Sequence, residues 1–234
     1  MRGLIVVSTE DADSSGPHHN RSLINVNRQR AKPESTRKVG EVRIIGGTLK
    51  RSKLPVVSRQ GLRPTPDRVR ETLFNWLAPV IEGARVLDLC AGTGVLGIEA
   101  LSRGAAWARL NELDANLAEQ IIANGKRLKI DLQMEVTRLC ALQLLTTPPD
   151  AGYDIVFLDP PYSADLWEAL LDRLPNWLAP QAWVYLEHPS NIAPPFGAPW
   201  RIHKQGRAGS VQFYLLAQLS PAILSGQSHA EHAF

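Results

Sequence analysis

Four consecutive residues, Asp159, Pro160, Pro161 and Tyr162, follow an apolar stretch that ends at Leu158. Two prolines fix two φ angles and remove two N–H donors. The carbonyls beside them point outward, Asp159 adds an acceptor and Tyr162 adds a flat π face. An exocyclic amino group on a nucleobase suits that set. Its lone pair is delocalised into the ring, so it is a poor nucleophile. If the Asp159 carboxylate and the Pro160 carbonyl each accept one of its hydrogens, the nitrogen is held pyramidal, with its lone pair aimed at an electrophile. Tyr162 can stack on the base. Such a base must leave its stack or already be single-stranded. Taken alone, the four residues are also a turn that merely ends a strand.

A second segment points to the electrophile. Arg85–Leu89 reads as a strand, and a loop then carries Gly92 and Gly94, with Gly97 in the helix that follows. G-x-G-x-x-G after a strand is the dinucleotide fingerprint, although glycines let many ligands approach a backbone. Asp88 precedes the loop, where a carboxylate repels a pyrophosphate and attracts an ammonium. Glu112 ends the next strand, and a carboxylate there can accept both hydroxyls of a ribose. A ligand with a cationic amino acid at one end and a ribose in its middle is S-adenosylmethionine. Methyl transfer from it is an in-line displacement, so positioning supplies much of the rate. The plain alternative is that Asp88 and Glu112 only cap turns.

The elements that must hold these residues alternate along the chain. Strands are predicted at Arg85–Leu89, Trp107–Glu112, Leu132–Val136, Tyr153–Asp159 and Ala182–Glu187. Helices are predicted over Gly94–Arg103, Asp114–Leu128, Ala141–Leu145 and Ala164–Leu174. That order implies a parallel sheet covered on both faces. Trp200–Lys204 and Ser210–Gln218 read as two further strands joined by a turn over Gln205–Gly209. Upstream, Val42–Ile45, the turn signal Gly46-Gly47 and a returning strand from Leu49 to Val57 predict a small β-hairpin, with Pro55 at an edge. A helix opens near Pro66, with Thr65 as its N-cap.

Composition narrows the partners. The net charge of +3 hides an asymmetry: residues 1–75 hold 15 Lys/Arg and 7 Asp/Glu, residues 76–234 hold 11 and 16. A basic front on an acidic body suggests a polyanion as partner. Arg43, Lys50, Arg51, Lys53, Arg59, Arg63, Arg68 and Arg70 lie between Val42 and Arg70 against the single acid Asp67, and they are the candidate phosphate contacts. Arg63 can instead line the mouth of the site. Residues 1–38 and 219–234 are poor in large apolar residues and are expected to be disordered tails. No apolar run reaches about 18 residues, so no membrane-spanning helix is expected. No secretory signal is read, so a cytoplasmic protein with free thiols is expected. Cys90 and Cys140 have no partner at metal-ligand spacing, and no metal is expected. Cys90 is read as a packing residue rather than a nucleophile, and His188 as structural.

With these residues in place, the chain resembles class I S-adenosylmethionine-dependent methyltransferases. More narrowly, it resembles the RsmD family of bacterial 16S rRNA guanine-N2 methyltransferases. The match rests on Val42–Gly47, Gly61–Leu77, Asp88–Gly94 with Glu99–Gly104, and Asp159–Tyr162. The resemblance implies a Rossmann-like α/β fold: a seven-stranded, mostly parallel sheet with an antiparallel last strand, plus an N-terminal hairpin and helix. It implies a hairpin-and-helix part over 39–80 and a methyltransferase domain over 81–218. It implies methylation of the guanine N2 amino group, at guanine 966, on an assembled small-subunit particle, by a monomer. Asp88 and the loop of Cys90, Ala91, Gly92, Thr93 and Gly94 would hold the methionine part. Glu112 would take the ribose, Leu113 would pack on the adenine, and Asp159, Pro160, Pro161 and Tyr162 would hold the guanine. Where the family carries an acid before alanine at the end of the third strand, this chain has Cys140-Ala141, and a thiol is a weak acceptor.

Three alternatives stand beside this reading. Adenine N6 offers the same amino chemistry as guanine N2. An NAD-dependent oxidoreductase would use the glycine loop but leave Asp159–Tyr162 and the basic hairpin unused. A non-catalytic RNA-binding assembly factor would need neither carboxylate for chemistry.

Overall fold

The computed structural model describes residues 39–57 and 65–219. The expected tail over 1–38, all of the expected tail over 219–234 except Leu219, and the cations Arg59 and Arg63 lie outside the described residues. The first strands, β1 (Val39–Arg43) and β2 (Lys53–Val57), pair antiparallel with Val42 opposite Leu54. Then follow α1 (Asp67–Leu77), β3 (Arg85–Asp88), α2 (Val95–Ser102), β4 (Trp107–Asn111), α3 (Ala115–Leu128), β5 (Met134–Thr137), α4 (Ala141–Leu144) and β6 (Tyr153–Leu158). The chain ends in α5 (Trp167–Arg173), β7 (Leu178–Pro189), β8 (Trp200–Ala208) and β9 (Val211–Gln218). The main sheet has seven strands in the order β5-β4-β3-β6-β7-β9-β8. Pairing is parallel from β5 to β7, and β9 runs antiparallel to both neighbours. This is the expected α/β sheet with its reversed last strand.

Strand alternation divides the core. Val86, Ile155, Phe157 and Tyr185 face a layer that includes Leu73, Phe74, Ile98 and Ile121 from α1, α2 and α3. Leu87, Val156, Leu158, Val184 and Leu186 face α4 and α5, where Trp167, Leu170 and Trp177 are buried. The β1–β2 pair contributes Val42, Leu54 and Val56 to the first layer. The hairpin is therefore fastened to the sheet's helical cover.

Its fastening differs from a tight Gly-Gly turn. Residues after Arg43 reach across to the C-terminal end of α2: the Thr48 amide donates to the Ser102 carbonyl (2.7 Å), the Leu49 amide donates to Ser102 Oγ (2.9 Å), and Ser102 Oγ donates to the Gly46 carbonyl (2.6 Å). Gly47 has φ +72°, and a Cβ there would sit 1.7 Å from the Ser102 carbonyl oxygen. The segment is used for docking, so β2 begins only at Lys53.

Arg70 corrects the reading of the basic run. It is not a phosphate contact: its side chain is fully buried and pairs with the fully buried Glu99 (Nη1 to Oε2, 3.3 Å). It also donates to the Thr65 carbonyl (3.1 Å), the Arg43 carbonyl (2.9 Å) and Asp67 (2.6 Å). Glu99 in turn accepts from the amides of Ile45 (2.9 Å) and Gly46 (2.7 Å) and from Arg103 (2.9 Å). Thr65 is not the N-cap either. Pro66 occupies that position without a side-chain bond, and the Thr65 hydroxyl donates instead to Glu187 (2.8 Å). A charge-assisted bond from the hydroxyl to a carboxylate is stronger than the neutral bond an N-cap hydroxyl accepts from a helix amide, so the side chain is turned to Glu187.

Smaller differences have local causes. The predicted helix from Ala164 starts at Trp167, because a 3₁₀ turn over Tyr162–Ala164 ends at Asp165 in the left-handed region (φ +45°). The predicted turn over Gln205–Gly209 is mostly strand. Gln205 and Gly206 pair with Tyr214 and Phe213, and only Gly209 (φ +59°) and Ser210 turn. β7 begins at Leu178, four residues before the expected start, because Leu178 already pairs with Tyr153.

Breaking a buried pair by removing one partner costs about 3–5 kcal/mol. Arg70→Met should lower the urea unfolding free energy by that amount. The exposed neighbour substitution Arg68→Met should change it by less than about 0.5 kcal/mol.

Candidate functional site

The chain runs from β3 outward to β4 and β5, then crosses back to add β6 on the other side of β3. Ligand crevices of open α/β sheets lie at such a reversal, outside the carboxyl ends of the strands. Here that place lies between Asp88, the last residue of β3, and Asp159, just past β6. Asp88 is opposite Phe157, and Leu158 is opposite Leu186, so Asp159 lies beside Glu187 one residue further along. Alternation after Val86, Phe157 and Tyr185 puts Asp88, Asp159 and Glu187 on one face. Three adjacent strands thus end in three carboxylates on the side covered by the start of α1.

The glycine loop is held by backbone and carboxylate together. The Ala91 amide donates to the Asn111 carbonyl (2.9 Å) and the Gly94 amide to the Ala91 carbonyl (2.7 Å). Glu112 accepts the Gly92 amide on one oxygen (2.8 Å) and the Asp114 amide on the other (2.8 Å). Gly94 caps α2 at φ +73°, and a Cβ there would meet Ile121 at 3.0 Å. Gly97 donates its amide to Asp88 (3.0 Å), and a Cβ there would lie 2.7 Å from Leu110. Both acids therefore also brace the loop. Thr93 is buried within it.

The electrostatics of the edge are one-signed. Burial raises Asp88 to about 7, with Glu112 adding to the shift and the Gly97 amide opposing it. Burial, then Glu187 and Asp88, hold Asp159 well above the usual carboxylate range. Burial raises Glu187, against hydrogen bonds from Thr65 and Tyr185 that lower it. A cation placed among these acids restores their ionised form, which fits a ligand carrying an ammonium and a sulfonium. The same burial and charges push the Cys90 thiol up, so it stays protonated and packs, as expected. Among the described residues, no group of three His, Cys, Asp or Glu side chains is arranged to hold a metal ion.

The rest of the rim follows. Leu113 is 66% exposed beside the loop, and the exposed Cys140 starts α4 without a side-chain cap, just before the buried Ala141. Sequence reasoning missed Asn111, which organises this corner. Its amide group donates to the carbonyls of Leu89 (3.1 Å) and Leu139 (3.0 Å), and its oxygen accepts from Thr137 (2.9 Å) and the Leu139 amide (3.2 Å). Glu187 was also missed; it is 5% exposed, and Thr65 and Tyr185 both donate to its Oε1 at 2.8 Å. Pro160 is buried and Pro161 exposed. Tyr162 is 41% exposed and leans on Trp167 (5.6 Å), whose indole N–H donates to the Glu187 carbonyl (2.9 Å). His188 is buried edge-on to Trp167 (4.9 Å), and burial lowers the pKa of its imidazole.

Of the basic candidates, Arg43, Lys50, Arg51, Lys53 and Arg68 are exposed. Lys53 shares its charge with Glu41 (2.8 Å). Arg127 of α3 donates to the Lys53 carbonyl (2.6 Å), which adds a cation beside the hairpin.

Comparison with known proteins identifies the family. A family described as conserved hypothetical protein 95 matches residues 42–217. Ribosomal RNA small subunit methyltransferase D of Escherichia coli K12 is 46% identical over 179 residues, covering 75% of this chain and 89% of its own. The protein of the same name from Haemophilus influenzae is 43% identical over 180 residues, covering 75% and 93%. Among solved structures, an Escherichia coli chain named as a methyltransferase, yhhF, superposes with a TM-score of 0.70 at 42% identity, covering 77% and 99%.

The raised carboxyl of Asp88 has a measurable consequence. Between about pH 4 and 7 the folded protein holds a proton there that the unfolded chain has released. Stability from this group is therefore full below about 4 and lost as pH rises through 7. Asp159 and Glu187 act in the same direction. In urea titrations, Asp88→Asn should flatten the fall between pH 4 and 7 without abolishing it.

Proposed function

The chain belongs to the family of ribosomal RNA small subunit methyltransferase D, and from that premise we propose that it transfers a methyl group from S-adenosylmethionine to the N2 amino group of a guanine in 16S rRNA. The observation that carries this reading is the Asp159–Tyr162 turn standing beside Asp88 at the strand-order reversal. One edge thus holds acceptors for an amino group next to a carboxylate suited to a cationic amino acid.

The cofactor supplies an electrophilic methyl group on a sulfonium. Asp88 and the backbone from Ala91 to Gly94 take its methionine part, and the remaining lone pairs of Glu112 take the ribose hydroxyls. Leu113 covers the adenine, and Cys140-Ala141 borders it. Because Cys140 offers only a weak acceptor, backbone groups of this corner, fixed by Asn111, read the adenine edge. The Asp159 carboxylate and the Pro160 carbonyl hold the two hydrogens of the guanine amino group, which directs its lone pair. Tyr162, backed by Trp167, stacks on the extruded base. The amino nitrogen becomes acidic once methylated, so solvent suffices to take the proton, and His188 is not needed as a base.

Within this reading, residues 39–80 grip the RNA and residues 81–218 do the chemistry. Arg43, Lys50, Arg51, Lys53 and Arg68 contact phosphates. By resemblance the target is guanine 966 on an assembled small-subunit particle, reached by a monomer in the cytoplasm.

Two variants test the proposal. Asp159→Ala should lower methyl transfer to unmodified small-subunit particles by about a hundredfold or more, since orientation is what it removes. Calorimetry with S-adenosylhomocysteine should show nearly unchanged affinity in that variant; lost binding would refute the assignment of Asp159 to the base. Replacing Arg51 and Lys53 together by Ala should reduce the slope of log affinity for RNA against log salt by about 2. An unchanged slope would move the RNA surface elsewhere.

A further inference from the structure

Glu187 is the one acid of the edge to which the methyl-transfer reading gives no task, and its placement is specific. It follows Leu186, which pairs with Leu158, so it stands beside Asp159 on the neighbouring strand and on the same face. It is nearly buried, and two hydroxyls, from Thr65 and Tyr185, converge on its Oε1 at 2.8 Å each. Those bonds fix the rotation of the carboxylate. Among the described residues, Oε2 accepts no hydrogen bond. Oε2 is not among the buried atoms left without a partner, so it reaches the surface of the edge in a fixed orientation, open to a donor from a ligand. Next to it, Asp159 and the Pro160 carbonyl present two more acceptors.

Three acceptors in a row match three donors in a row. Guanine carries N1–H beside the two hydrogens of its N2 amino group. Adenine carries two amino hydrogens beside a bare N1 lone pair. With the amino group held by Asp159 and Pro160, the next ring position falls towards Glu187. For guanine it brings N1–H to Oε2, which also relieves the repulsion between the two carboxylates. For adenine it brings a lone pair against an anion.

Resting on the reading that this edge methylates a nucleobase amino group, we propose that Glu187 accepts the N1–H of the target base and is the residue that selects guanine over adenine. The Thr65 bond then has a second meaning. It ties the selecting carboxylate to the residue at the start of α1, so the element that follows the basic hairpin also sets the orientation of the base reader.

The test uses small-subunit particles reassembled with guanine or 2,6-diaminopurine at the base that receives the methyl group. The analogue keeps the 2-amino group but presents N1 as an acceptor. Wild-type protein should favour guanine in kcat/KM by about a hundredfold or more, since a site built for a substrate N–H rejects analogues that lack it. Glu187→Gln keeps an oxygen for Thr65 and Tyr185 and puts an N–H where Oε2 was. That variant should narrow the preference at least tenfold, chiefly by losing rate on guanine. A purely structural role would lower both rates alike and leave the ratio unchanged, which would overturn the proposal. If the variant fails to fold, the wild-type ratio still decides: methylation of the analogue within about threefold of guanine refutes the role of Glu187. Failure of the wild type to methylate guanine particles at all would instead overturn the parent reading, and this assignment with it.

Discussion

The buried pair of Arg70 and Glu99 is the constraint from which the arrangement of this molecule follows. Neither side chain reaches solvent, so each must find all its partners inside. Arg70 does so by gathering the carbonyls of Arg43 and Thr65, and Glu99 by gathering the amides of Ile45 and Gly46. The hairpin, α1 and α2 are thereby fixed to one another through two charges. Because α2 begins at Gly94 and α1 begins beside Thr65, the same knot sets the distance between the cofactor loop and the segment that touches Glu187. The exposed cations of the hairpin and the acid-lined edge of the sheet thus share one electrostatic anchor.

The edge itself is built on the opposite principle. Where Arg70 and Glu99 neutralise each other, Asp88, Asp159 and Glu187 are left as neighbours of one sign, each raised by burial. In the proposed reading such a cluster is tolerable because its ligands are donors and cations, and the stability given up in holding these acids together is recovered when those ligands bind. The acids also have scaffolding duties, as the Asp88 bond to Gly97 and the Glu112 bonds to Gly92 and Asp114 make plain. Binding therefore acts on groups that already hold the loop in shape.

The parts that could be read from sequence were those whose meaning is local. Asp88 to Gly97 and Asp159 to Tyr162 are each recognisable as motifs within ten residues, and alternation of strand and helix followed from periodicity. What escaped depends on partners far away along the chain. Arg70 looked like one more cation in a basic run, because nothing near it in sequence announces that Glu99 waits 29 residues on. Thr65 looked like a helix cap, although its acceptor is 122 residues distant. Asn111 was hidden next to the more conspicuous Glu112. A polar residue inside an apolar strand was the signal available, and it does not say whether the residue binds a ligand or organises loops. The Gly46-Gly47 pair was read as a turn from its composition, but its geometry is dictated by Ser102.

The position of β9 has a consequence for how the chain comes into being. It is the last strand among the described residues, yet it lies between β7 and β8 rather than at the rim. During synthesis, β7 can join β6 as soon as it emerges, but its other flank stays open until Val211–Gln218 has been made and inserted. Ordering by long-range pairing of this kind is slow, and domains complete only when their final partners are present. The strand that bears Glu187 is thus braced on both sides only in the finished chain. A polypeptide truncated before residue 211 would still carry Asp88, Asp159 and Glu187 and would expose an unpaired strand flank beside them.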